Sequence, residues 1–218
     1  MSDDVISLAD LAGSVVRVGD GRGFVVRTAR ANYIITAAHV LTELPPARLL
    51  HSLEQETYPR LIGPRDAQPT VTAACVFADP IADLAVLAPP DNQELSDEAE
   101  LYEQFTGLLP PFDIAPPPPR QRVRLPGLVG DPPDYALSDV TFPAHVLSIA
   151  GDWIACTARH VGGPLIVEPA DLMVGGMSGS PLIGATGAAL GVVSTHNFTT
   201  CLTNGLPGWL LRALASDT

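Results

Sequence analysis

The stretch GGMSGSPLIG runs from Gly175 to Gly184 and sets two serines, Ser178 and Ser180, among glycines before Pro181. Glycine is selected where the backbone needs positive φ or passes close to another group. A serine in such a turn is either a presented nucleophile or a small residue in a bend between strands. A serine hydroxyl is a weak nucleophile at neutral pH. It needs a base beside it, usually His, and an acid that orients the base. The two readings part on whether the chain supplies those partners in a workable order.

One order fails. A G-x-S-x-G elbow needs an acid and then a His downstream. Here Ser180 stands where the second glycine belongs, and His196 precedes the last acid, Asp217. The order His, Asp, Ser works. TAAHV puts His39 at the end of an apolar strand, and DLAVLAP puts Asp83 at the head of another. The separations are 44 residues from His39 to Asp83 and 95 from Asp83 to Ser178. A lone His in an apolar run reads as a core residue; with two partners in order it reads as a base. Asp79 is the rival acid, but the run LAVL directly follows Asp83. His51, His145 and His160 lack a partnered motif, and Ser180 reads as a small turn residue.

Around these residues the chain is strand-like. SVVRV, FVVRT, ANYIITAAHV and TVTAACVFAD are rich in β-branched and aromatic residues and are punctuated by Gly or Asn. Asp91 to Glu103 carries six carboxylates and reads as a solvated, helix-compatible insertion. Pro116 to Pro119 form an unbroken run, a stiff connector or a surface loop. Strand patterns resume in RVRLPGL, AHVLSIA, DWIACTA, PLIVEP and ALGVVSTHN, and GWLLRALASDT reads as a terminal helix. Two six-stranded antiparallel barrels with a short C-terminal helix fit this pattern, and composition alone leaves a sandwich open. The expected units are an N-terminal barrel over 1–108, a linker over 109–120 and a second barrel with the terminal helix over 121–218.

TAAHV, DLAVL and GMSGSPL resemble the three signature blocks of the trypsin-like, chymotrypsin-fold serine peptidases, in order and at family spacing. GRGFVV ahead of the His block is similar to the bacterial, HtrA-like branch. The resemblance implies two perpendicular β-barrels with a cleft between them. It implies His39 as general base, Asp83 as its orienter and Ser178 as nucleophile, with the N–H groups of Gly176 and Ser178 as oxyanion hole. No metal or cofactor is implied, and the partner is a protein or peptide substrate. In digestive and clotting members an Asp precedes the nucleophile and pairs with a freshly cut N-terminal amine. Met177 cannot make that pair and is expected to fill space beneath the turn.

In the family that the chain resembles, the residue six before the nucleophile lies at the base of the main pocket; counting back from Ser178 gives Leu172, and the resemblance then implies small or medium apolar side chains rather than Arg or Lys. Ser194, Thr195 and His196 would line the pocket wall, with an acidic preference through His196 as the alternative. The alternative to an active enzyme is a silent or partner-activated module of the same fold, one that binds protein or awaits an activator.

The chain has 218 residues, 46 % hydrophobic and 17 % charged, so it carries enough apolar material for a folded core. Its net charge of −12 argues against nucleic acid and anionic membranes as partners. No run approaches the ~20 apolar residues of a membrane span, and MSDDVISLAD lacks the apolar core of a secretory signal. Cys75, Cys156 and Cys201 form no C-x-x-C pair, and they are expected to be free thiols. The bridges that secreted relatives carry beside the His and Ser blocks have no cysteines here. A cytoplasmic setting is the expectation.

Overall fold

The computed structural model describes residues 8–41, 56–124, 135–161, 164–168, 173–197, 200–205 and 210. It is dominated by antiparallel strands. The first set is β1 (Val15–Val18), β2 (Gly21–Arg27), β3 (Asn32–Thr36), β4 (Glu56–Gly63), β5 (Val71–Asp79) and β6 (Leu84–Ala88), paired in the order β1-β2-β3-β6-β5-β4. Pairing of β1 with β4, Arg17 opposite Gly63 and Val18 opposite Ile62, closes this barrel. Closure leaves no unpaired strand edge. β6 reads LAVLA and is buried at every position, so it shows an unbroken apolar run instead of alternation.

β4 is absent from the strands expected from sequence. Its segment ETYPRLIG contains Pro59, which ordinarily argues against a strand. The structure accommodates the proline in an irregularity between Tyr58 and Ile62, where Arg60 takes φ +49°. A bulge is where a strand tolerates proline.

The second set is β9 (Val140–Leu147), β10 (Trp153–His160), β11 (Pro164–Glu168), β12 (Pro181–Gly184), β13 (Ala189–Asn197) and β14 (Thr200–Gly205), paired in the order β10-β11-β14-β13-β12-β9. β9 pairs with β10 on one side and with β12 on the other, so this circuit also returns on itself. Of RVRLPGL, expected among the strands of the second half, Arg122–Arg124 lie in β7 (Gln121–Arg124), which among the described residues pairs with β8 (Tyr135–Ser138) in a separate two-stranded sheet, and the rest lies outside the described residues. Both edges of β9 are taken, so the larger sheet offers β7 no place. β14, over TCLTNG, is likewise absent from the strands expected from sequence.

Two helices are present among the described residues. The acidic insertion forms α2 (Ser96–Gly107), with Asp97 and Glu98 in its first turn, where carboxylates oppose the positive end of the helix dipole. Tyr102 is fully buried, and its hydroxyl lies 3.1 Å from both the Asn32 and Leu87 carbonyls, which anchors α2 to β3 and β6. Burial raises the Tyr102 phenol well above its usual range. The short α1 (Leu8–Ala12) reaches the second barrel through the Trp153 indole N–H, which donates to the Leu8 carbonyl. The expected C-terminal helix lies outside the described residues except for Leu210, which is buried.

The segment before the proline run is stitched to both barrels. The Phe112 N–H donates to Val25 in β2 at 2.8 Å, and the Ala189 N–H in β13 donates to Asp113 at 2.8 Å. Phe112 is buried edge-on against Phe24, with centroids 5.4 Å apart. Such a pair adds about 0.5–1.5 kcal/mol beyond area burial. One apolar core fills the first barrel and runs on through Leu147, Ile183 and Val192 of the second. A second core holds Val146, Leu165, Met173, Met177 and Leu182.

Candidate active site

His39 stands just after β3. Ala37 is extended, and Ala38–Val40 form a single 3-10 turn. Ala37 and Ala38 are fully buried. Small residues there let the chain turn against the core and leave the imidazole at the rim.

Asp83 lies in the turn between β5 and β6. The rival carboxylate, Asp79, is occupied in the same turn, where its Oδ1 accepts the Ile81 and Ala82 N–H groups at 3.0 Å each. Asp83 has φ +49°, an uncommon conformation for a residue with a Cβ and one that Asp and Asn tolerate best. Its Oδ1 accepts the His39 backbone N–H at 2.9 Å, and its Oδ2 meets His39 Nδ1 at 2.7 Å. A carboxylate only accepts, so Nδ1 carries the proton and Nε2 is left with a lone pair. The Asp83 side chain is 15 % exposed against 42 % for His39, so the acid sits behind the ring and the ring faces outward.

Ser194 supplies a third donor that sequence reasoning placed only in the pocket wall. Its hydroxyl donates to Asp83 Oδ2. Ser194 falls where the β13–β14 register shifts, between Val193 and Thr195. A bulge re-aims a side chain without disturbing the rest of its strand. No local motif in ALGVVSTHN marks this role, since register is set by the partner strand.

Ser178 sits on the turn before β12 and is fixed from both barrels. Its carbonyl accepts the Arg22 N–H of β2 at 2.7 Å. The Gly179 N–H donates to Val193 at 2.7 Å, and the Val193 N–H donates to Ser180 at 2.9 Å. Gly176 and Gly179 take φ +85° and +86°. A Cβ on Gly179 would lie 1.7 Å from the Arg22 carbonyl oxygen, so only glycine fits there. The Met177 and Ser180 N–H groups are taken by Val174 and Met177 carbonyls at 3.3 and 3.0 Å. Among the described residues, the N–H groups of Gly176 and Ser178 have no protein acceptor. Met177 is 1 % exposed, packed in the second core, and its sulfur accepts the Val174 N–H at 3.4 Å. Among the described residues the buried Ser180 hydroxyl has no hydrogen-bond partner.

The Ser178 hydroxyl donates to the Ser194 carbonyl at 3.1 Å, and among the described residues no hydrogen bond joins it to His39. Both residues line one cleft of about 500 Å³, with Gly19, Asp20, Val40, Leu41 and Gly176. A larger groove of about 910 Å³ follows α2, lined in part by Asp91, Glu94, Glu100 and Glu103; the His39–Asp83 pair lies outside it. The structure thus brings His39, Asp83, Ser178, Gly176 and Ser194 together. Leu172 lies outside the described residues, and of Thr195 and His196 only the backbone, in β13, is described. Among the described residues no cluster of His, Cys, Asp or Glu could hold a metal ion.

No curated protein matches the chain. Among solved structures, it is similar to the inactive form of the protease Rv3671c from M. tuberculosis, at 20 % identity over 96 % of this chain and 91 % of that one, with a TM-score of 0.47. It is similar to a human pathogenic astrovirus serine protease at 16 % identity, 91 % of each chain and a TM-score of 0.48. It is also similar to the NSP4 proteinase of Equine Arteritis Virus at 16 % identity, 88 % of this chain, 71 % of that one and a TM-score of 0.45. The family model described as trypsin-like peptidase domain matches residues 21–192, a span that includes His39, Asp83 and Ser178. The chain belongs to the trypsin-like peptidase domain family.

Proposed function

We propose that this chain is a serine endopeptidase whose triad is His39, Asp83 and Ser178, set in a cleft between two barrels crossed at right angles. The observation that carries the reading is the Asp83–His39 contact at 2.7 Å beside a cleft that Ser178 and His39 share. The Ser178 hydroxyl first rotates from the Ser194 carbonyl toward His39. Oγ then bonds to the scissile carbonyl carbon, and its proton passes to Nε2 of His39. The oxyanion is met by the Gly176 and Ser178 N–H groups; one such donor is typically worth about 10²–10³ in turnover. Collapse expels the amine, protonated by His39, and leaves an acyl-enzyme that water hydrolyses through the same base.

The substrate is a protein or peptide held by β-addition along β13. Leu172, Thr195 and His196 form its pocket in this reading, with small or medium apolar residues preferred before the scissile bond. In this reading the chain divides into an N-terminal unit over 1–108 and a second over 121–218, joined by 109–120. A reducing, cytoplasmic setting is part of this reading, in which Cys75 donates its thiol hydrogen to the Phe77 carbonyl.

The Ser178–Ser194 hydrogen bond favours a second reading, a latent module whose nucleophile engages His39 only after a partner binds. Labelling by a fluorophosphonate probe decides. Purified wild type and Ser180→Ala should label, and Ser178→Ala should not. A silent wild type that labels once cell extract is added supports latency. Labelling that survives Ser178→Ala overturns both readings.

A further inference from the structure

β2 carries a buried cation. Arg22 is 4 % exposed, and arginine is seldom buried unless its donors are satisfied. Its partners all come from one short turn of the other barrel. Nη1 donates to the Leu147 and Ser148 carbonyls at 3.1 and 3.0 Å, and Nη2 to the Ile149 carbonyl at 3.2 Å. No carboxylate forms an ion pair with it among the described residues. Burial holds the guanidinium below its usual pKa, the nearby charge of Arg65 adds to that, and Asp66 opposes it.

The same residue grips the nucleophile turn with its backbone. Its N–H donates to the Ser178 carbonyl, and its carbonyl accepts the Thr36 hydroxyl at 2.6 Å while pressing on Gly179. The turn it holds from the other side closes on itself, with the Ser148 N–H donating to Asp152 at 2.9 Å. From that turn Ile149 reaches back over the site. A Cβ placed on Gly176 would meet one described atom within 4 Å, Ile149 Cδ1 at 3.4 Å. Gly176 sits in the turn that the Met177 N–H closes on the Val174 carbonyl, and on its side-chain side Ile149 is the one described neighbour; glycine at φ +85° has access to either sign of φ, so this turn has more than one conformation open to it.

We propose that Arg22 is a positioning residue: its guanidinium fixes the turn over residues 148–152, and through Ile149 that turn holds the Gly176 peptide with its N–H toward the cleft. Its catalytic consequence rests on the peptidase reading above; its structural consequence does not. A cation facing carbonyls alone is a costly way to fasten two barrels that already share an apolar core. Control of one glycine peptide beside Ser178 is what this arrangement adds.

The test uses the full chain with Arg22→Met, Arg22→Lys and Ile149→Ala. Met keeps much of the length and loses the donors; Lys restores charge and part of the hydrogen bonding. Ile149 is 53 % exposed, so its truncation leaves the fold intact. The readouts are the 15N order parameter of Gly176, thermal unfolding, and kcat and KM on a peptide substrate. In Arg22→Met and Ile149→Ala the order parameter should fall from about 0.85 to below about 0.6. In both, kcat should drop by about 10²-fold, the size of one lost oxyanion donor, with KM unchanged because the contact is made in the transition state. Arg22→Lys should recover part of both. An unchanged Gly176 order parameter in Ile149→Ala overturns the proposal whatever the activity. So does an Arg22→Met effect confined to the unfolding temperature. If wild type neither labels nor cleaves and Gly176 still loosens, the peptidase reading falls and the positioning role stands.

Discussion

Ser178 and Ser194 are joined by one hydrogen bond, hydroxyl to carbonyl at 3.1 Å, while the Ser194 hydroxyl donates to Asp83. A single residue of β13 therefore touches Ser178 with its backbone and Asp83 with its side chain. Ser194→Ala separates the two, since it removes only the hydroxyl. Asp83 keeps both donors from His39, and a hydrogen bond to a charged group is worth about 1.5–3 kcal/mol. The expected result is a loss of about tenfold or somewhat more in kcat/KM, without loss of probe labelling. Steady-state kinetics beside labelling checks it; an unchanged rate would show that the third donor does not matter.

Asp83 tests charge apart from geometry. Asn tolerates the positive φ of this position and keeps the side-chain shape, but its neutral amide cannot stabilise an imidazolium. Asp83→Asn should fold normally and lose roughly 10³-fold or more in turnover, as His39→Ala should. Asp83→Ala should add backbone strain of about 1 kcal/mol and a lower melting temperature. The His39→Ala, Asp83→Asn double variant should be little worse than either alone. Additive losses would remove His39 from the base role.

Gly176 and Gly179 have nearly the same φ and different surroundings. Alanine at Gly179 would drive its Cβ into the Arg22 carbonyl, at 1.7 Å, and should prevent stable folding. Alanine at Gly176 meets only Ile149 at 3.4 Å, so it should cost about 1–3 kcal/mol of backbone strain and leave a folded protein with impaired turnover. Circular dichroism and thermal melts of the two variants, followed by kinetics on the folded one, make the comparison.

Cys156 should be a slow thiol. Burial disfavours the thiolate and pushes its pKa up to about 11. At pH 8 almost all of it is protonated, so iodoacetamide should modify the Cys156 peptide slowly, and the rate should climb with pH toward that value. Mass spectrometry of the labelled peptide over a pH series is the measurement. Rapid labelling at pH 7 would contradict the burial of the sulfur.

Much of the fold was readable because the strands of a barrel announce themselves locally. LAVLA in β6 and ALGVVSTHN in β13 are runs of β-branched and apolar residues between turn residues. The failures are as local in cause. Pro59 hid β4 because a proline in a strand needs a bulge, and a bulge depends on the strand opposite. No strand was expected over TCLTNG, which β11 and β13 hold in the sheet as β14. The first three residues of RVRLPGL do lie in a strand, yet the partner is β8, because β9 has no free edge.

The site divides in the same way. The order and spacing of His39, Asp83 and Ser178, the glycine turn around Ser178, and the uncharged Met177 beneath it are all properties of short stretches. They constrain chemistry because each residue type can do only a few things. Three relationships came from the tertiary structure alone: the hydroxyl of Ser194 on Asp83, the hydroxyl of Ser178 on the Ser194 carbonyl, and the guanidinium of Arg22 on the turn over residues 148–152. Each joins residues more than ten positions apart, through a bulge, a rotamer or a barrel interface. Spacing along a chain says which groups are available to meet. Only the packing of two barrels decides which atoms do.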